Sequence, residues 1–180
     1  MYNGAMPSGR THDLITFAIA PPVFAGAQYY AGAMMLAATA TVAMVFAGLM
    51  FGPDLDLDSK PYRRWGPLRF IWKPYQKALS HRSRLSHGLI FSTIFRILYF
   101  IAVTSLLAAT FMYVRQRYLF GAQTSWTAEF NRVSLDLGEF WHTTDKRYFW
   151  AGFVGLWVGA AAHTLADIIF TVTKKIWKMV

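Results

Sequence analysis

Between Asp13 and Asp54 lie 40 consecutive residues without one charged side chain. A helix that crosses a bilayer takes about 20 predominantly apolar residues, so this stretch is long enough for two. Two further runs qualify: Leu89 to Val114, broken only by Arg96, and Phe149 to Val172, broken only by His163 and Asp167. A soluble core helix is seldom so long and so apolar. Composition agrees, because 55% of the chain is hydrophobic and only 15% is charged, below the soluble average of about 25%.

The expected fold is therefore all-α: a polytopic membrane helical bundle of about four transmembrane helices, one integral-membrane domain over residues 1–180. Pro21 and Pro22 interrupt the uncharged stretch, and "QYYAG" at 28–32 supplies interfacial aromatics and a glycine for a reversal. These features predict spans over 14–30 and 31–51, followed by 89–114 and 149–172. One span preceded by a re-entrant N-terminal segment is the alternative division. The run is too long for a signal-peptide core and carries "APP" within it, which predicts that it is retained.

Charge sets the expected orientation. The connection after the second span carries Lys60, Arg63, Arg64, Arg69, Lys73, Lys77, Arg82 and Arg84, and the tail carries Lys174, Lys175 and Lys178. Positive loops face the cytoplasm, which predicts both termini cytoplasmic and the mixed-charge connection 115–148 on the opposite side. The net charge of +9 would suggest nucleic acid in a soluble chain. Here the basic residues flank apolar runs, so the expected partners are membrane lipids and no nucleic acid.

The chain has no cysteine, so any metal is held by nitrogen and oxygen. Ionisable residues inside a membrane segment are costly and usually face a cavity or partner. His163 and Asp167, four apart, share one helix face. Asp54, Asp56 and Asp58 alternate in "FGPDLDLDS" and would present three carboxylates on one side if extended, or diverge if helical. In "HRSRLSH", His81 and His87 are six apart and converge only if the segment is a loop or ends at a helix start near Ser86; lipid phosphate is the other fate for His81. His12 either joins this group or marks a helix start with Asp13.

The segments "MPSGRTHDLIT", "GLMFGPDLDLDS", "RRWGPLRFIWKPY", "HRSRLSHG" and "AAHTLAD" together resemble a family of uncharacterised metal-binding membrane proteins of cyanobacterial type. That family is similar in turn to the LexA-regulated inner-membrane metal-dependent hydrolases. The resemblance implies metal ligation at His12, Asp54, Asp56, His81, His87, His163 and Asp167, and a plasma or thylakoid membrane location.

A divalent metal, zinc or manganese, in such a site would activate water and polarise an ester or phosphoryl oxygen. The expected activity is a membrane-embedded, metal-dependent hydrolase acting on a lipid ester or phosphoester near the cytoplasmic face. Asp54 and Asp56 would act as bridging ligands or base, and Arg96 would stabilise an anion or pair with a carboxylate. The alternative is a non-catalytic accessory or scaffold subunit of a larger membrane complex. It would engage its partner through the Tyr62–Tyr75 block, where arginine interleaves with tryptophan, or through the 115–148 connection.

Overall fold

A computed structural model describes residues 8–79, 88, 91–119 and 125–177, all helix and turn. The helices are α1 (Gly9–Ala31), α2 (Met34–Leu49), α3 (Lys60–Arg63), α4 (Lys73–Ala78), α5 (Phe91–Val114), α6 (Trp126–Thr143) and α7 (Lys146–Trp177). The chain divides into two compact units, one of Met1–Arg96 with Arg147–Val180 and one of Ile97–Lys146. His81 and His87 lie outside the described residues.

In the first unit, α1 starts at Ser8, whose hydroxyl accepts from the Thr11 amide. The helix continues through Pro21 and Pro22 and stops at Gly32, whose φ of 63° is the left-handed conformation that glycine adopts at a helix end. The reversal expected at "QYYAG" is thus made by Gly32. Helix α2 then runs back beside α1, and the two meet where Gly48 faces the Thr16 side chain.

Small residues also bring α7 onto α2. A Cβ at Gly155 would fall on the Ala40 carbonyl, and one at Gly159 would fall on the Met44 carbonyl. Spaced four apart, these glycines line one face of α7 and let the backbones touch. Leu36, Ala37, Ala40, Met44 and Ala47 of α2 form the buried core with Ala160 and Ala166 of α7.

The segment after α2 folds back over the end of that helix. The last carbonyls of an α-helix have no intrahelical donor. Here Arg64 Nη1 donates to Leu49 O at 2.9 Å and Trp65 Nε1 to Met50 O at 2.8 Å. Gln76 Nε2 reaches Leu55 O and Leu57 O at 3.1 and 3.0 Å. Trp72 packs edge-on against Phe51, Trp65 and Tyr75, with ring centroids 5.3–5.7 Å apart.

Two of the sequence features resolve here. The Tyr62–Tyr75 block is divided: Tyr62, Ile71, Trp72 and Tyr75 are core, while Phe70, Arg63, Arg69 and Lys73 are exposed. The three alternating aspartates do not line one side, because Pro53–Asp56 is a 3-10 turn. Proline at the start of the turn fixes φ and favours that tight geometry. Asp56 turns inward, and Asp58 faces outward to Arg63 with contacts of 2.9 and 3.0 Å.

The second unit holds the rest of α5, a π-helical turn over Arg115–Leu119, and α6. Arg115 pairs with Glu129, and Lys146 Nζ sits 4.4 Å from the Trp141 ring centroid. Helix α6 is amphipathic, with Phe130, Val133, Leu137 and Phe140 on an exposed apolar stripe.

Among the described residues, three helical segments are long and apolar enough to cross a membrane: Met34–Asp56, Phe91–Val114 and Lys146–Lys174. Helix α1 has the length, but Pro21, Pro22, Gln28, Tyr29 and Tyr30 make it less apolar than these three.

Candidate metal centre

Four side chains from three places in the chain converge in the first unit. The first turns of α1 supply His12, the turn after α2 supplies Asp54, and α7 supplies His163 and Asp167. His12 Nε2 lies 3.2 Å from Asp167 Oδ1, and His163 Nε2 lies 3.2 Å from Asp54 Oδ2 and 3.8 Å from Asp167 Oδ2. The imidazoles stack face to face, with centroids 3.8 Å apart and planes 5° from parallel.

Each histidine is buried, and the Nδ1 of each has no hydrogen-bond partner among the described residues. Asp167 Oδ1, although close to His12 Nε2, also makes no aligned hydrogen bond. Neutral imidazole offers one N–H and one lone pair. If Nε2 carries the proton, a buried Nδ1 acceptor is left unmet; if Nδ1 carries it, the Nε2 lone pair faces a carboxylate. A cation among the Nε2 and carboxylate atoms removes the second conflict.

The donor set fits a divalent ion. Ligating atoms of His12, His163 and Asp167 all lie within 4.8 Å of one another. The edge of a tetrahedron with arms of about 2.1 Å is about 3.4 Å, close to the two shorter separations. Two carboxylates at a largely buried site also match the charge of a dication, and imidazole with carboxylate suits zinc or manganese.

Beside these residues is a pocket of about 150 Å³ lined by Gly9, His12, Asp13, Asp54, Lys60 and His163, among others. Asp13 on its wall is clamped by Arg64, at 2.8 and 2.7 Å, and by Lys60. The Arg64 hydrogen bond, with help from Lys60, holds the Asp13 carboxyl below the usual carboxylate range, against an opposing effect of burial. A depressed folded-state pKa contributes stability above the unfolded value of about 3.9 and loses it as pH falls through the folded value. Asp13→Asn is therefore expected to lower the melting temperature at pH 7. Its deficit relative to wild type should shrink below about pH 4, as thermal unfolding in detergent across that range would show.

Of the seven ligand positions implied by resemblance, the structure brings together His12, Asp54, His163 and Asp167. His81 and His87 lie outside the described residues. Asp56 is buried away from the pocket lining. Arg96 is fully buried, in electrostatic contact with Tyr75, Asp56 and Asp54, and does not line the pocket. Sequence reasoning missed the Asp13 clamp and the imidazole stack. A signal for the clamp existed: with no charge between Asp13 and Asp54, any side-chain cation for Asp13 had to come from outside that run.

A protein-family model described as "Uncharacterized metal-binding protein (DUF2227)" matches residues 7–177. No curated protein and no solved structure matches the chain.

Proposed function

Because the chain belongs to the family of uncharacterised metal-binding proteins and its two buried histidines meet two carboxylates, we propose that it is an integral-membrane protein holding zinc or manganese through His12, His163, Asp167 and Asp54. The observation that carries this reading is the convergence of α1 and α7, distant in sequence, on two imidazoles and a carboxylate whose ligating atoms lie within 4.8 Å of one another. In this reading residues 14–30 of α1 form a fourth span in addition to the three apolar ones, placing the site near the cytoplasmic ends of the helices, in a plasma or thylakoid membrane.

We assign the metal to hydrolysis of a lipid ester or phosphoester. The bound ion would supply Lewis acidity and a lowered water pKa. The chain's own residues do the rest: Asp54, at the pocket wall, is placed to accept a proton, while α1 and α7 hold the imidazoles fixed. The pocket is too small for acyl chains and admits only a head group or water, so a lipid would keep its tails in the bilayer.

The test is elemental analysis of detergent-purified protein, followed by an assay on phospholipids. The expected result is about one equivalent of zinc or manganese per chain, with hydrolysis abolished by chelator and restored by the metal. Metal-free protein from chelator-free buffers would remove the reading. A metal-replete protein without hydrolysis would favour a second reading, a non-catalytic subunit, for which the exposed apolar stripe of α6 and the outward Phe70 and Arg69 supply contact surfaces.

A further inference from the structure

The charges around the pocket are unequal. Asp13 carries one negative charge and is paired with two cations, Lys60 and Arg64. That trio has a net charge of +1. The metal cluster beside it, with a dication and the carboxylates of Asp54 and Asp167, would be neutral. With that ion bound, the charged groups in and beside the pocket would sum to +1.

The cations differ in what they can do. Arg64 is committed on two sides, to Asp13 and to the end of α2 at Leu49 O. Lys60 lines the pocket and is more exposed than Asp13, with 42% of its side chain accessible against 17%. An ammonium has three donors, and one engages Asp13. The lysine stem runs across the start of α1, where a Cβ at Gly9 would come within 3.0 Å of Lys60 Cδ. Gly9 is the first residue of a 23-residue helix, so the positive end of the helix dipole adjoins the same space. His12 and His163, each with a buried Nδ1 that has no hydrogen-bond partner among the described residues, also line the pocket.

We propose that this pocket is a phosphate-group subsite, with Lys60 its principal side-chain ligand and His12, His163 and Asp54 of the metal cluster also in its lining. The inference rests on the metal reading above and selects among its substrates: a phosphoester rather than a carboxylic ester. A neutral ester would gain little from the excess charge. A phosphate brings at least one full negative charge and several acceptor oxygens, and about 150 Å³ accommodates that group but not a lipid tail. Lys60 is a binding residue that positions the phosphoryl group; it is given no part in proton transfer.

The test measures binding of inorganic phosphate and of short-chain phosphatidic acid in micelles to wild type, Lys60→Gln and Gly9→Ala, before and after loading with zinc. Metal content is read on the same samples, so failure of the metal site is recorded separately from failure of the subsite. Losing a hydrogen bond to a charged group weakens binding by about tenfold or more. That loss is expected for Lys60→Gln with both ligands at unchanged metal content, and a smaller loss is expected for Gly9→Ala, which displaces the lysine stem. A loss seen with phosphatidic acid alone would assign the subsite to a lipid head group, and one seen with phosphate alone would assign it to a soluble ion. Equal affinity of wild type and Lys60→Gln for both ligands, with or without zinc, would overturn the proposal.

Discussion

His163→Ala is expected to lower the affinity for zinc by roughly a hundredfold to a thousandfold. The size follows from site energetics: a four-ligand structural zinc site provides about 10–16 kcal/mol, so one ligand carries about a quarter of it. His163 should exceed an average ligand, because its Nε2 approaches both Asp54, at 3.2 Å, and Asp167, at 3.8 Å. Removing it takes away one donor and also the partner that holds both carboxylates. His12→Ala is expected to cost less, since His12 contacts only Asp167 of the two. Asp58→Ala is the control, because Asp58 faces outward to Arg63. Competition titration with a zinc chelator on the four proteins would rank them. Equal affinity in His163→Ala and Asp58→Ala would mean that the cluster is not the site.

The metal cluster was partly legible before any fold was known. His163 and Asp167 stood out because ionisable residues four apart in an apolar run point the same way, and their side chains do lie 3.8 Å apart. His12 and Asp54 were candidates with alternatives, a helix start for one and a common carboxylate side for the other, and the resemblance added them to the ligand set. Their spacing in sequence carries no information about each other, since only the antiparallel return of α2 beside α1 and the docking of α7 bring them together. The aspartate run had two readings, and the structure takes the helical one. Alternation implies a common side only in extended backbone, and Pro53 starts a 3-10 turn instead.

The basic aromatic block shows a related limit. Arginine interleaved with tryptophan suits a lipid surface, a partner interface or a cap over helix ends, and composition cannot separate these. Arg64 and Trp65 cap the carbonyls at the end of α2, and Trp72 and Tyr75 fill the space beneath. The helices themselves were easy to read, because long apolar runs leave few options. Their contacts were less so, and depend on which glycines face a neighbour.

Gly159→Val is expected to destabilise the protein by about 1–3 kcal/mol or more, as overpacking does, and also to release the metal. The added Cβ would fall on the Met44 carbonyl, with Ala47 Cβ only 2.8 Å away. Neither neighbour can rotate aside, because one is backbone and the other is a methyl on a fixed helix, so α7 must move off α2. His163 lies one turn beyond Gly159 on α7 and would move with it, away from Asp54 and His12. The same helix provides the contrast in Gly152, where an added Cβ meets nothing within 4 Å. Gly152→Ala should leave metal binding unchanged and stabilise the helix by up to about 1 kcal/mol through backbone propensity. Thermal unfolding in detergent, with metal content measured on the folded fraction, separates the two. If Gly159→Val matched Gly152→Ala in both readouts, α2 and α7 would not be in backbone contact, and the packing that assembles His12, Asp54, His163 and Asp167 would need another cause.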